Sequence, residues 1–267
     1  MATDRFASLP PSRALSIFFT AGFPKRDDTM TILKELQAAE VDMVELGFPF
    51  SDPVADGPTI QESSLVALNQ GMSVSLLFEQ LASLRTSGIT YPVLLMGYLN
   101  PLEQFGRSRF FERAEACGVD GLIIPDLPFE EYLSDYKALF VKHRLRPVFL
   151  VTPRTPAERI RAFDDEAPAF LYVLSSDAVT GGRASVSDER QAFFKKLRDM
   201  GLKSRLIVGF GVADRESFTT VTTHTDGAIV GSAFVRALGS AQCEPSRTAT
   251  PQGDLNQVIS NFIKGMR

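Results

Sequence analysis

The segment from Val44 to Gln61 reads VELGFPFSDPVADGPTIQ and leads from a short apolar strand through a proline-rich loop into a helix. Alternate side chains of a strand face opposite sides, so Glu45 projects away from Val44 and Leu46. Proline fixes φ and removes a backbone donor, so the three prolines of the segment keep the loop from coiling into a helix before Thr59. The segment therefore predicts one strand–loop–helix unit with an acid near the end of its strand.

The rest of the chain repeats this unit. Short runs of strand composition alternate with longer segments of helical period, as in Asp28–Ala39, where apolar residues recur at three-residue spacing behind an acidic cap. Eight such units predict a single (βα)8 TIM barrel domain with extra helices over residues 1–267, with its site in the loops at the C-terminal ends of the strands. The strand candidates are Leu15–Thr20, Met43–Leu46, Val93–Met96, Gly121–Ile124, Val148–Val151, Phe170–Leu174, Leu206–Gly209 and Ala228–Val230.

An open doubly wound sheet is the main alternative fold. It would be favoured by a G-x-G-x-x-G fingerprint opening the first helix, but the first strand leads into Thr20-Ala21-Gly22-Phe23-Pro24, which contains no such fingerprint.

A weak internal repeat supports a fold built from similar units, because Asp42, Asp120 and Asp226 each stand just before an apolar strand. Residues 239–253, rich in Ser, Thr, Pro, Gln and Gly, are expected to form a flexible polar surface segment before a closing helix.

Composition argues against several classes of function. The chain has 28 Lys and Arg against 32 Asp and Glu, a net charge of -4, with no basic block for a nucleic-acid backbone. Two cysteines are too few for a disulfide framework, and no spacing suits a metal site. The amino terminus lacks the apolar core of a signal peptide, and no run approaches the roughly 18 apolar residues of a membrane span. We therefore expect a soluble cytoplasmic protein that binds neither nucleic acid nor membrane.

Glu45 and Asp56 are the candidate catalytic residues. An ionised carboxylate in apolar surroundings must find a partner or its pKa rises, and either outcome makes Glu45 a candidate acid or base. The alternative for Glu45 is a structural ion pair. Asp56 stands in Asp-Gly-Pro, where a turn aspartate commonly binds its own backbone, so the local sequence leaves structural and catalytic roles equally open.

Two glycine turns suit a phosphate group, which backbone N–H groups at a helix start can bind without a cationic side chain. Gly209-Phe210-Gly211 follows the seventh strand and Gly231-Ser232-Ala233 follows the eighth, where barrel enzymes often hold phosphate. Each alone is better explained by a tight turn, but their joint position after the seventh and eighth strands favours a phosphate site. Val179-Thr180-Gly181-Gly182, after the sixth strand, suits either a lid or a plain surface turn.

The run from Glu45 to Pro53, continued by Ala55 to Gln61, closely resembles the signature of the tryptophan synthase alpha chain family. That family is a (βα)8 barrel that cleaves indole-3-glycerol phosphate to indole and glyceraldehyde 3-phosphate in tryptophan biosynthesis. The resemblance implies a lyase without a cofactor of its own, in an alpha2beta2 heterotetramer with a beta chain that carries pyridoxal phosphate and consumes the indole. Further matches, in order along nearly the whole chain, are Phe19-Thr20-Ala21-Gly22, Pro125-Asp126-Leu127-Pro128, Val179-Thr180-Gly181, Gly209-Phe210-Gly211 and Gly231-Ser232-Ala233.

The resemblance also implies roles for single residues. Glu45 is implied to protonate C3 of the indole ring and to handle the side-chain hydroxyl, while Asp56 accepts a hydrogen bond from the indole nitrogen. Thr180 is implied to bind Asp56 when the lid closes, and the Asp52-Pro53 turn to meet the beta chain. The implied phosphate-binding residues are Gly181, Phe210, Gly211, Gly231 and Ser232, and the implied indole pocket is Phe18, Ile60, Met96, Tyr98, Ile123 and Tyr172.

One segment departs from the family. Ser176, Asp177 and Ala178 stand where many members have an arginine, a small polar residue and a glycine, which leaves lid closure and coupling to the partner open.

Two alternative functions also stay open. Another phosphosugar barrel, such as an isomerase or prenyl transferase, would not be expected to carry the Glu45 and Asp56 signature. A non-catalytic subunit that only activates a beta chain is disfavoured by the intact acid pair.

Overall fold

The computed structural model describes residues 4–166, 168–174, 188–209, 211–240 and 251–267. Within these ranges, eight parallel strands close into a barrel in chain order, each paired with the next and the last with the first. This confirms the (βα)8 TIM barrel expected from the sequence. The strands are β1 Ala14–Thr20, β2 Met43–Gly47, β3 Val93–Met96, β4 Gly121–Ile123, β5 Arg146–Val151, β6 Leu171–Val173, β7 Leu206–Val208 and β8 Gly227–Val230.

Helices surround the barrel, and several of them are additional to one helix per strand. A 3-10 helix, Arg5–Ser8, precedes β1, and a π-helical turn, Tyr132–Tyr136, joins α6 to α7. The α-helices of the described residues are α1 Thr29–Ala38, α2 Pro58–Asn69, α3 Val74–Leu81, α4 Leu99–Phe105, α5 Arg107–Cys117, α6 Phe129–Glu131, α7 Lys137–Lys142, α8 Ala157–Asp165, α9 Asp188–Asp199, α10 Arg215–Thr222, α11 Ser232–Ser240 and α12 Pro251–Met266.

The predicted element boundaries hold with small corrections. Every predicted strand is present, and seven of the eight differ from the prediction by one or two residues at one or both ends. Helix α2 begins at Pro58 instead of Thr59, because the missing N–H of proline costs no hydrogen bond at the first helical position. Asp28 is the N-cap residue of α1, as the sequence predicts, but its carboxylate makes no hydrogen bond to the helix and instead accepts one from the Lys25 N–H at 3.2 Å.

The aspartates of the internal repeat join neighbouring strands at the amino-terminal end of the barrel. Each carboxylate accepts a hydrogen bond from the N–H of a residue at the start of the preceding strand, and the N–H of the aspartate donates to the carbonyl of the same residue. The repeat therefore stabilises the end of the barrel opposite to the loops that build sites. The pairs are Asp42 with Leu15, Asp120 with Val93 and Asp226 with Leu206, each with a carboxylate contact of 2.8 Å.

The polar segment expected near residues 239–253 is only partly described. Gly239 and Ser240 end α11, and residues 251–253 begin α12, so both ends of the segment are helical. Residues 241–250 lie outside the described ranges. None of the helices described is long and apolar enough to cross a bilayer.

Candidate active site

Glu45 is fully buried on β2, level with Phe18 of β1 and Leu94 of β3. Its Oε1 accepts a hydrogen bond from the Ser16 hydroxyl at 3.0 Å, whereas Oε2 is buried and has no hydrogen-bond partner in the described part of the chain. Burial disfavours the charged form and raises the pKa of Glu45 to about 8, while the Ser16 hydrogen bond opposes that rise. No cation among the described residues pairs with this carboxylate, so none of them supports the alternative of a structural ion pair.

Asp56 lies in the loop between β2 and α2 and is partly buried. Tyr98, at the start of the segment after β3, donates its hydroxyl hydrogen to Oδ2 of Asp56 at 2.9 Å, and the same hydroxyl accepts from the Ala55 N–H at 3.0 Å. Burial raises the pKa of Asp56 to about 6, and the hydrogen bond from Tyr98 limits the rise. The carboxylate is therefore held by a side chain of the neighbouring loop, and not by its own backbone as in a simple turn.

Tyr172 connects the two acids. It is buried on β6, where desolvation raises the pKa of its hydroxyl well above the ordinary value, and the charges of Glu45 and Asp56 add to that rise. Both carboxylates therefore lie within electrostatic reach of one phenol. The Tyr172 ring covers Gly209, where an added Cβ would stand 1.8 Å from the ring, and its hydroxyl donates to the Gly209 carbonyl at 3.4 Å.

A small cavity opens beside Asp56 between the loops that follow β2, β3 and β4. Glu45 lies deeper on the same face of β2, two residues before Gly47, which lines the cavity. Ile123 is fully buried on β4, and neither it nor Tyr172 lines this cavity. The members of the predicted indole pocket that do line it are Phe18, Ile60, Met96 and Tyr98.

Sequence reasoning missed several residues of this region. Phe48 and Phe50 line the cavity, and the Phe50 ring lies 5.5 Å from that of Tyr98. Two aromatic residues in a loop after a strand were a usable signal, because a surface loop has no need of them. Ser16 gave no such signal, since its contact with Glu45 depends on the register of β1 against β2.

The predicted phosphate-binding residues are only partly described. Ser232 is the first residue of α11, directly after Gly231, and the first N–H groups of a helix have no helical acceptor. Gly211 follows β7 with φ of +76°, a conformation that favours glycine. Because β7 pairs with β8, both turns leave the barrel at the same end. Thr180, Gly181, Phe210 and the departure at residues 176–178 lie outside the described residues.

The Asp52-Pro53 turn lies at the outer part of the same loop as Asp56. Asp52 is exposed and accepts a hydrogen bond from the Ser51 hydroxyl at 2.5 Å, whereas Pro53 is buried and lines the cavity. Val54 beside it is 80% exposed. Within the ranges that the structure describes, no group of three or more His, Cys, Asp or Glu residues could hold a metal ion.

Comparisons with known proteins agree with this geometry. The family model for the tryptophan synthase alpha chain matches residues 8–262. The tryptophan synthase alpha chain of Parabacteroides distasonis is 47% identical over 226 residues, which cover 85% of this chain and 88% of that protein.

Solved structures give the same result. Tryptophan synthase subunit alpha from Legionella pneumophila superposes with a TM-score of 0.80 at 31% identity, covering 95% of this chain and 92% of that one. The tryptophan synthase A-subunit from Pyrococcus furiosus superposes with a TM-score of 0.83 at 29% identity, covering 96% and 98%. The chain therefore belongs to the tryptophan synthase alpha chain family.

Proposed function

We propose that this chain is a lyase that cleaves indole-3-glycerol phosphate to indole and glyceraldehyde 3-phosphate, with Glu45 and Asp56 as its acid–base pair. The main support for the proposal is a pair of carboxyl groups whose pKa values are raised, to about 8 for Glu45 and about 6 for Asp56. Both groups are close enough to Tyr172 for their charges to raise the pKa of its hydroxyl. Perturbed acids with separated pKa values are typical of active sites, and membership of the family agrees with the reaction.

Glu45 supplies the proton that the reaction needs first. With a pKa of about 8 it is mostly protonated at neutral pH, so it can donate a proton to C3 of the indole ring. The carboxylate that results accepts the proton of the adjacent hydroxyl while the carbon–carbon bond breaks and the carbonyl of glyceraldehyde 3-phosphate forms. Glu45 therefore ends the reaction protonated, as it began, and no cofactor is needed in this chain.

Asp56 has the opposite ionisation. With a pKa of about 6 it is mostly a carboxylate at neutral pH, so it accepts a hydrogen bond from the indole N–H and offsets the positive charge that appears on the ring when C3 is protonated. The indole lies in the cavity lined by Phe18, Ile60, Met96 and Tyr98, and the family signature adds Ile123 and Tyr172 to this pocket.

The phosphate of the substrate binds to backbone N–H groups at Gly231 and Ser232, at the start of α11, and near Gly211. Gly181 and Phe210 complete this site, and Thr180 closes over the substrate and binds Asp56. These last three assignments rest on the family signature, because the residues lie outside the described ranges.

The partner is a tryptophan synthase beta chain, which carries pyridoxal phosphate and consumes the indole in an alpha2beta2 assembly located in the cytoplasm. The Asp52-Pro53 turn contacts this partner. Exposed Asp52 and Val54 support that assignment, because an apolar side chain 80% exposed beside a charged one suits a polar-rimmed interface.

An indole-release assay tests the proposal. The chain contains no Trp, so the fluorescence of released indole can be read with little protein background. We expect indole from indole-3-glycerol phosphate with the purified chain and a beta chain that is denied its second substrate and so cannot consume the indole, and a slower release from the chain alone. Absence of indole in both assays refutes the proposal, and stimulation of the beta chain without indole release points to a non-catalytic subunit.

A further inference from the structure

We infer that Ser16 is a positioning residue for the reaction: its hydroxyl holds Oε1 of Glu45 and leaves Oε2 as the oxygen that exchanges protons with the substrate. The inference deepens the proposed function and rests on it, because it concerns the acid that the proposed function assigns to C3.

The geometry comes from two neighbouring strands. In the register of β1 against β2, Ser16 lies opposite Met43 and Phe18 lies opposite Glu45. Ser16 is therefore two residues closer to the amino-terminal end of the barrel than Glu45, and both side chains are on the same face of the sheet. Both residues are fully buried, and the Ser16 hydroxyl donates to Oε1 at 3.0 Å. A buried hydrogen bond between two strands of a closed barrel fixes the carboxyl group in orientation as well as in place.

The two oxygens of Glu45 are therefore not equivalent. Oε1 already accepts a hydrogen bond, whereas Oε2 is buried with no partner in the described part of the chain. A buried polar atom without a partner costs free energy, and such atoms in native structures are expected where a ligand supplies the missing contact. Since Ser16 donates to Oε1, the acidic proton of the neutral form resides on Oε2, and Oε2 is the atom that can reach C3.

The hydrogen bond from Ser16 has a second effect. A donor to a carboxylate favours the ionised form, so Ser16 limits the rise in the pKa of Glu45 that burial causes. Glu45 must give up a proton and take one back in each turnover, and a pKa near the working pH serves both steps. Removal of the hydroxyl should therefore both loosen the carboxyl group and make it a weaker acid.

The test compares Ser16→Ala with Thr225→Val, which removes a buried hydroxyl whose hydrogen bonds, to the Val221 and Gly227 carbonyls, involve no residue of the candidate site. We expect Ser16→Ala to lower kcat/KM for indole release by about 10-fold and to move the alkaline limb of its pH profile up by about one unit. Ser16→Cys, with a weak thiol donor, should move the limb less, and Thr225→Val should not move it. Carbon-13 NMR titration of the Glu45 carboxyl, assigned by difference with Glu45→Gln, measures the same shift without turnover.

Each outcome has a defined meaning. An unchanged limb and an unchanged Glu45 titration in a folded Ser16→Ala chain overturn the inference, even if that variant is slower. Circular dichroism establishes whether each variant is folded. If Ser16→Ala does not fold, the pH profile and the Glu45 titration are measured on Ser16→Cys instead. Absence of indole release from the wild-type chain with a beta chain instead refutes the proposed function, which the Ser16 comparison alone cannot do.

Discussion

The hydroxyl of Tyr98 donates a hydrogen bond to Oδ2 of Asp56 at 2.9 Å and accepts one from the Ala55 N–H at 3.0 Å. One phenol, placed just after β3, thereby fixes both the carboxylate and the backbone of the loop that follows β2. Two prolines of this loop lack a backbone donor, and its internal backbone hydrogen bonds, from the Val54 N–H to the Asp52 carbonyl and from the Asp56 N–H to the Pro53 carbonyl, do not hold the Asp56 carboxylate. The orientation of Asp56 toward the cavity depends on this contact.

Tyr98→Phe removes the contact at little change in volume. We expect kcat/KM for indole release to fall by about 10-fold, because Asp56 loses its orientation. The pKa of Asp56 should also rise above its present value of about 6, because the hydrogen bond that lowers it is lost. The acid limb of the pH profile of kcat/KM measures this rise.

Tyr91→Phe is the matched control. Its hydroxyl donates to the Leu33 carbonyl at 2.7 Å and contacts no residue of the candidate site, and the residue as a whole is as buried as Tyr98. We expect the acid limb of this variant to coincide with that of the wild type. A Tyr98→Phe profile that coincides with both would show that Tyr98 does not control Asp56.

The two raised pKa values predict a bell-shaped pH profile. Activity requires Asp56 ionised and Glu45 protonated, so kcat/KM should rise through about pH 6 and fall through about pH 8. The measurement is indole release from pH 5 to 10 in a constant-ionic-strength buffer. A profile that keeps rising to pH 10 would show that Glu45 does not act as an acid.

Removal of either acid should slow the reaction without unfolding the chain. Asp56→Asn should slow indole release by about 10²- to 10⁴-fold, the usual effect of one positioned acid or base. Glu45→Gln should be at least as severe and should leave glycerol phosphate binding largely intact, because it removes the exchangeable acid proton and changes the volume little. Calorimetric loss of glycerol phosphate binding in Glu45→Gln would mean that the site is misplaced.

Glu45 was predictable, because an acid inside an apolar strand is visible in the sequence and burial follows from the barrel. Its alternative, an ion pair, could be decided only by the structure, since any of 28 cationic side chains could have met it. Ser16 could not be predicted, because it is 29 positions from Glu45 in the sequence. A shift of one residue in the pairing of β1 with β2 would have placed its side chain on the opposite face of the sheet.

The strands were predicted almost completely, because buried parallel strands are short apolar runs bounded by turn residues. The position of the α1 cap follows from the sequence, but the partner of the Asp28 carboxylate does not, because an aspartate there can bind either the helix or the preceding turn. The aspartate repeat was visible, but its role required knowledge of which strand lies beside each aspartate.

Burial of Glu45 should also make stability depend on pH. Its folded pKa of about 8 lies above its ordinary value of 4.5, so the folded state binds the extra proton between these values. The stability that this proton provides is fully present below pH 4.5 and is lost as pH rises to about 8. We therefore expect Glu45→Gln to raise the free energy of unfolding by about 2–4 kcal/mol at pH 8 and by little at pH 5. Urea unfolding followed by circular dichroism at both pH values measures the difference, and an equal effect at both would contradict it.

The aspartates at the amino-terminal end of the barrel should affect stability and not catalysis. Asp120 accepts hydrogen bonds from the Val93 N–H, from Arg5 at 2.9 Å and from Arg85 at 2.5 Å, and its side chain is only 8% exposed. Asp120→Ala leaves the partly buried Arg85 guanidinium without its carboxylate, so we expect a loss of about 2–4 kcal/mol in the free energy of unfolding.

Asp226→Ala is the matched comparison, because the Asp226 carboxylate accepts one hydrogen bond, from the Leu206 N–H, and has no ion pair among the described residues. We expect a loss of about 1 kcal/mol for this variant. Urea unfolding measures the loss in the free energy of unfolding for both variants. The pH profile of kcat/KM tests whether these aspartates affect stability without affecting catalysis. Since both aspartates lie at the end of the barrel away from Glu45 and Asp56, both limbs should stay in place in each variant. A displaced limb in Asp120→Ala would mean that the ion pairs at one end of the barrel control the acids at the other.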